Sequence, residues 1–146
     1  MGAVSPLHAK NALFLLDDRA LVRVVPIDGK GRGVVAELPI ARGDVVERAH
    51  VVVVPEDQAA HLDGTVLEHY VYDWPEGRVA VALGNGSLFN HSFRPNARYR
   101  RDLQAHLLVF EALVDIAPGE EITINYNGDP DDCTPLWFEV VEDDAE

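Results

Sequence analysis

Three short segments carry the residue types from which a binding or transfer site is built: Gly31-Arg32-Gly33, Asn90-His91-Ser92-Phe93-Arg94-Pro95-Asn96, and Gly119-Glu120-Glu121-Ile122-Thr123-Ile124-Asn125-Tyr126. The first supplies main-chain amides. In Gly29-Lys30-Gly31-Arg32-Gly33, three glycines in five residues let the backbone approach a ligand closely, with φ free to turn positive. Such amides suit a carboxylate or a phosphate, and the same residues read equally as a hairpin turn. Ala36 stands where a dinucleotide fingerprint needs its third glycine, and a strand pattern follows, so that chemistry is excluded. Asn90 and His91 offer an amide and an imidazole, while Asn90 and Ser92 also suit turn capping. The His91-Ser92 adjacency is not triad geometry, and no Gly-x-Ser-x-Gly elbow occurs. Tyr126 offers a phenol. It alternates with Asn125 and Thr123 on the face of Ile122 and Ile124, which fits core packing and also a buried hydroxyl with a partner.

The elements that must position these groups are short strands. Apolar, valine-rich runs cover Leu21 to Val25, Gly33 to Leu38, Val45 to Val54, Val79 to Leu83 and Leu107 to Val114. Turn residues separate them at Asp28-Gly29, Arg42-Gly43-Asp44, Pro75-Glu76-Gly77, Asn85-Gly86 and Pro118-Gly119. Short β-branched runs between such signals predict strands. Residues 97 to 114 read as a hairpin turning near Asp102, with Arg98, Arg100 and His106 pointing outward at period two. Helical signal is sparse: a turn or two over Pro55 to Leu62 and a short C-terminal helix over Pro135 to Val141, with Thr65 to Tyr72 fitting neither period. A mostly-β domain of small sheets follows.

Composition narrows the function classes. The 146 residues fit one domain, with a lead-in at 1–18, the domain at 19–138 and an acidic, frayed tail at 139–146. No apolar run approaches the ~20 residues of a membrane span. With no secretory signal recognised, a soluble, cytoplasmic protein is expected. The single Cys133 excludes a disulfide and a cysteine-rich zinc site. Six histidines lack metal spacing, and Asp129, Asp131 and Asp132 lack the glycine and distal glutamate of a calcium loop, so no metal is expected. A net charge of −13 disfavours nucleic acid and anionic membranes. It suits a basic partner and, equally, plain solubility.

In order and separation, the three segments resemble the SET domain, a family of protein-lysine methyltransferases that use S-adenosyl-L-methionine. The phrase Ile40-Ala41-Arg42-Gly43-Asp44-Val45-Val46-Glu47 between them belongs to the same pattern. The resemblance runs from about Arg19 to about Phe138. It implies a SET fold of β-clip type, several small sheets in which the Asn90 and Tyr126 segments cross in a pseudoknot-like manner. By the same resemblance, the backbone around Gly31, Arg32 and Gly33 holds the methionine end of the cofactor. Asn90 binds its polar groups, and His91 contacts the adenine region through its backbone. Tyr126 places its hydroxyl at the methyl-transfer centre. The substrate is a lysine in a basic protein segment.

The chain departs from the family pattern in instructive places. Phe93 stands where cysteine is common, Leu88 and Phe89 replace an arginine-bearing stretch, and Ile124 occupies a position often aromatic that influences how many methyl groups fit. Without flanking cysteine clusters this is a minimal form, in which Pro135-Leu136-Trp137-Phe138 is the segment available to complete the site. Trp137 suits stacking on adenine and, equally, core packing. Two other readings stand beside the enzyme: an inactive SET-like acidic module that binds a basic protein, and a homo-oligomer whose pocket a neighbour completes.

Overall fold

The computed structural model describes residues 20–140 and Glu142; the expected lead-in lies outside them. A hairpin of β1 (Val22–Ile27) and β2 (Gly31–Ala36) comes first. The glycine-rich segment lies at its turn and in β2, with Gly29 and Gly31 at φ +75°. The ten residues of β3 (Val45–Val54) then form the centre of a five-stranded antiparallel sheet. β5 (Arg78–Ala82) and β8 (Leu107–Ala112) flank it, with β4 (Val71–Trp74) and β7 (Ala97–Asp102) outside them. The valine runs thus become strands where expected, and Arg98, Arg100 and His106 are exposed. Arg98 and Arg100 both pair with Glu111 across the hairpin.

The sheet curls until its two edges meet. Tyr72 of β4 and Tyr99 of β7 pack edge to face, with ring centroids 5.0 Å apart. Arg101 Nε of β7 donates to the carbonyl of Asp73 in β4 at 2.6 Å. The enclosed core holds Phe89, Leu108, Phe110, Ile116 and Ile122, all buried. Alternation explains it: Leu108 and Phe110 share one face of β8 with Arg101 and Tyr99 of β7 opposite them, while Val109 and Glu111 lie on the other face, where Val109 is also buried.

Two more strands, each of two residues, were invisible as runs. β6 (Asn90–His91) pairs in parallel with β9 (Thr123–Ile124). On the other side, the chain before β9 bridges to β2 through Val35 and Glu121. The Ile122 amide donates to the Val34 carbonyl at 2.8 Å. The closing segment therefore lies between β2 and β6, which sets the three chemistry-bearing segments side by side. Asn96 secures the arrangement: its Nδ2 donates to the Glu121 carbonyl at 2.8 Å, and its Oδ1 accepts from the Thr123 amide at 2.9 Å. That pair of bonds is the structural use of Pro95-Asn96.

Among the described residues, helix is confined to one turn of α1 (Glu56–Ala59) and 3-10 turns at Ala60–Leu62 and Val66–His69. Pro55 stands just before α1, where its missing N–H costs nothing. The ambiguous stretch 65–72 resolves into the second 3-10 turn followed by the start of β4. One expectation is corrected: residues 135–140 form no helix. Neighbouring residues on a helix diverge in direction, whereas Trp137 and Phe138 here line the same cavity. Glu142 corrects another, because it is held rather than frayed. Its Oε2 accepts from Ser92 Oγ and its Oε1 from the Phe93 amide, both at 2.8 Å.

Asn96→Ala removes a donor and an acceptor from partly buried backbone groups, each costing about 1–3 kcal/mol when left unpaired. Urea unfolding should show a loss of at least about 2 kcal/mol; a loss below about 0.5 kcal/mol, within ordinary surface substitutions, would mean the clamp does not hold the segments together.

Candidate active site

Two cavities meet beside the crossing of β6 and β9. One, of about 480 Å³, is lined by Lys30, Gly31, Arg32, Leu88, Asn90 and Phe138. The other, of about 410 Å³, lies between the curled sheet's edges, lined by Tyr72 and Asp73 of β4 and by Tyr99 and Arg101 of β7, with Phe89. Five residues line both: His69, Tyr70, Ser87, Tyr126 and Trp137. Of the residues nominated from sequence, Gly31, Arg32, Asn90, Trp137 and Tyr126 therefore share one continuous region. Gly33 is buried beneath it, and His91 is buried with its ring against Tyr126.

Tyr126 is fixed at both ends. Its amide donates to His91 Nδ1 at 2.9 Å, and its hydroxyl donates to the Phe89 carbonyl at 2.7 Å. Burial first, then Tyr70 and Glu121, push its pKa up to about 12. The phenol therefore keeps its proton at neutral pH and acts as an oriented dipole. Burial also lowers the pKa of His91, opposed by Glu142 and assisted by Lys30. A neutral ring that accepts at Nδ1 carries its proton on Nε2. That Nε2 is buried without a polar partner among the described residues. The ring stands edge-on to Phe93, centroids 4.4 Å apart, which explains an aromatic residue at position 93 as packing. Ile124 is fully buried and lines neither cavity.

Asn90 is oriented by Glu121, a residue whose importance the sequence did not announce. Asn90 Nδ2 donates to the Arg32 carbonyl at 2.9 Å and to Glu121 Oε2 at 2.8 Å. The other oxygen of Glu121 takes Lys30 Nζ at 2.8 Å, with both side chains only 9% exposed. Both neighbours of Nδ2 are acceptors, so the amide's orientation is not ambiguous. Its two hydrogens are spent, and the group left for a ligand is the acceptor Oδ1.

Tyrosine positions follow a similar logic. Tyr72 donates to the Gly86 carbonyl at 2.6 Å, and the turn bearing Gly86 is tied to β3 through Glu47. Glu47 accepts from the Asn85 amide and from Asn85 Nδ2 at 2.9 and 3.0 Å. Burial raises its pKa against those bonds. Trp137, 57% exposed, is not core. It stacks on His69 at 4.8 Å and on Tyr126 at 6.2 Å, forming part of the shared wall. Neither His69 nor Tyr72 nor Tyr99 belongs to a motif, so spacing could not have found them; the sheet's curl brings them in.

The curled β fold thus offers two cavities that share the half-buried Tyr126 in a common wall. The SET domain family profile matches residues 31–127. A histone-lysine N-methyltransferase of Schizosaccharomyces pombe, specific for lysine 37 of histone H3, is 36% identical over 122 residues, 83% of this chain and 79% of that protein. A crystal structure of a candidate histone methyltransferase from Plasmodium falciparum superposes with a TM-score of 0.59 at 22% identity, covering 72% of this chain and 96% of that one, which shows a shared fold. The chain belongs to the SET domain family, and its class is that of protein-lysine N-methyltransferases.

A Cβ at Gly33 would lie 2.6 Å from Glu121 Oε2 and 2.7 Å from Asn90 Nδ2, whereas one at Gly31 meets nothing within 4 Å. Gly31→Ala should cost about 1–2 kcal/mol from its left-handed φ alone. Gly33→Ala should cost more, about 1–3 kcal/mol of crowding plus the displaced Asn90 and Glu121 bonds. Denaturant unfolding of both variants checks the order; Gly33→Ala equal to wild type would show that the Glu121 cluster yields freely.

Proposed function

We propose that this chain transfers a methyl group from S-adenosyl-L-methionine to a lysine side chain of a basic protein segment. The cofactor occupies the cavity lined by Gly31, Arg32 and Asn90, and the lysine enters between β4 and β7. The observation that carries the reading is the placement of Tyr126 in the wall common to both cavities. The first cavity's volume lies within the ~300–1,000 Å³ of small-molecule sites. Its donor set also fits. Asn90 Oδ1 accepts from an ammonium, as an α-amino group requires, the backbone at Gly31 and Arg32 lies open to the cavity, and Trp137 and Phe138 offer ring faces to a nucleobase. Bound there, the cofactor supplies an electrophilic methyl group on a positively charged sulfur.

The protein's contribution is orientation and desolvation. Free lysine has a pKa near ~10.4 and must lose its proton before it can attack. Tyr72, Tyr99, Phe89 and Tyr126 form an aromatic passage that disfavours the ammonium by burial. Tyr126 does not take that proton, because its own hydroxyl is held protonated and aimed at the Phe89 carbonyl. The lysine leaves its proton to solvent before entry; the Tyr126 oxygen accepts an N–H of the neutral amine, aligning the nitrogen's single lone pair for in-line attack on the methyl carbon as the carbon–sulfur bond breaks. Glu68 and Asp73 line the second cavity with Arg101. With a net charge of −13, they favour a basic segment around the acceptor lysine. Histone H3, named for the fission yeast relative, is one such candidate substrate. Phe93 and Ile124 motivated an inactive reading, and neither lines either cavity, so the enzyme reading is preferred.

Tyr126→Phe keeps the ring and removes the hydroxyl. It should bind cofactor with little change and lose about 100-fold or more in turnover, measured by mass spectrometry with labelled cofactor on basic proteins including histone H3; undiminished turnover would remove the role assigned to the hydroxyl. The rate should rise with pH as the acceptor amine loses its proton, up to about pH 10. Ionisation of Tyr126 cannot reverse that rise below about 12. A descending limb between about pH 8 and 10, on protein shown to stay folded, would place a required proton on Tyr126 or a neighbour and contradict the assignment.

A further inference from the structure

We propose that Glu142 is a positioning residue for the cofactor cavity, a carboxylate latch that holds the C-terminal aromatic segment across it. The inference rests on the reading of that cavity as the S-adenosyl-L-methionine site and adds the residue that closes it. Trp137 and Phe138 line the cavity but follow Pro135 in a segment with no helix or strand of its own. Ring contacts hold their inner side. Phe138 lies 6.1 Å from Tyr126 and 6.3 Å, edge-on, from His91, and Trp137 stacks on His69. Such contacts are adaptable, and Trp137 is more than half exposed.

Directional bonds enter four residues beyond Phe138. Both oxygens of Glu142 are engaged, one by Ser92 Oγ and one by the Phe93 amide, each at 2.8 Å. The donor loop is the continuation of β6, which carries Asn90, so the latch fastens the lid to the cavity's own floor. Bonds to an ionised acceptor are the stronger kind. Burial alone would raise the pKa of Glu142. The bonds from Phe93 and Ser92, with Arg94 and His91, outweigh it and keep the carboxylate ionised. Ser92 Oγ also accepts from the Arg94 amide at 2.9 Å, so its proton is free to point at Glu142. Glu142 lines neither cavity, which limits its influence to the lid it holds. On this account the chain completes its site with its own C-terminal segment rather than with a neighbour's.

The test has two arms. The chain's two tryptophans differ sharply: Trp74 is 4% exposed and Trp137 57%. Acrylamide quenching of the cofactor-free protein therefore reports on Trp137. Glu142→Ala should raise quenching, while Glu142→Gln, which keeps one acceptor for the Phe93 amide and can donate to Ser92 Oγ, should stay close to wild type. In the second arm, calorimetry with S-adenosyl-L-methionine should give Glu142→Ala an affinity about tenfold weaker, the loss of roughly one charge-assisted bond. The KM for cofactor should rise in parallel, with kcat at saturation within about twofold. Glu142→Ala with unchanged quenching and affinity overturns the latch, and so does an equal loss of kcat. Wild type that shows the quenching difference but binds no cofactor sinks the cavity assignment and with it the latch's function, leaving only the tether.

Discussion

One carboxylate shielded from water governs the site. Glu121 shares its two oxygens between Lys30 and Asn90, and its main chain is bonded on both sides, to β2 through the Val35 bridge and to Asn96. Breaking one partner of such a pair costs about 3–5 kcal/mol, because the remaining charge is stranded in a low dielectric. The consequence reaches beyond stability. Glu121 commits the Asn90 amide hydrogens, and that commitment turns Asn90 into an acceptor. The same contact leaves no room for a side chain at position 33, so a glycine is required there. A polar group, a turn residue and an ion pair in three separate segments are thus one constraint.

Much of this was written into the chain in readable form. Valine runs and turn residues gave the large sheet, since half-buried strands advertise themselves by composition and alternation. Five of the nominated site residues also proved to line a common region. What stayed hidden has physical causes. β6 and β9 have two residues each, too few for any period to show. Glu121 looked like one more acid among twenty-five. Its burial depends on Lys30, ninety-one residues away. The expected C-terminal helix is absent over residues 135–140, where adjacent aromatic rings reach one cavity, a tertiary demand that overrides local propensity. Glu142, read as part of a frayed tail, is held by partners fifty residues earlier.

The same geometry fits a proposed mechanism that relies on no strong base. A phenol whose pKa burial pushes up to about 12 keeps its proton at neutral pH, so it serves as a dipole and not as a base. It suits a reaction in which alignment matters more than proton abstraction. The curl of the sheet brings β4 and β7 edge to edge, where Tyr72 and Tyr99 pack against each other and line the cavity proposed for the acceptor lysine. The stack of His69, Trp137 and Tyr126 lies in the wall shared by that cavity and the one proposed for the cofactor.

The central claim is that donor and acceptor approach Tyr126 from opposite cavities. A crystal structure with S-adenosylhomocysteine and a short basic lysine peptide tests it most directly. The account predicts the homocysteine amino group on Asn90 Oδ1, the sulfur beside the Tyr126 hydroxyl, and the lysine chain in the cavity walled by Tyr72, Tyr99 and Phe89. Cofactor density between β4 and β7, or a lysine that reaches the sulfur without passing Tyr126, would contradict it.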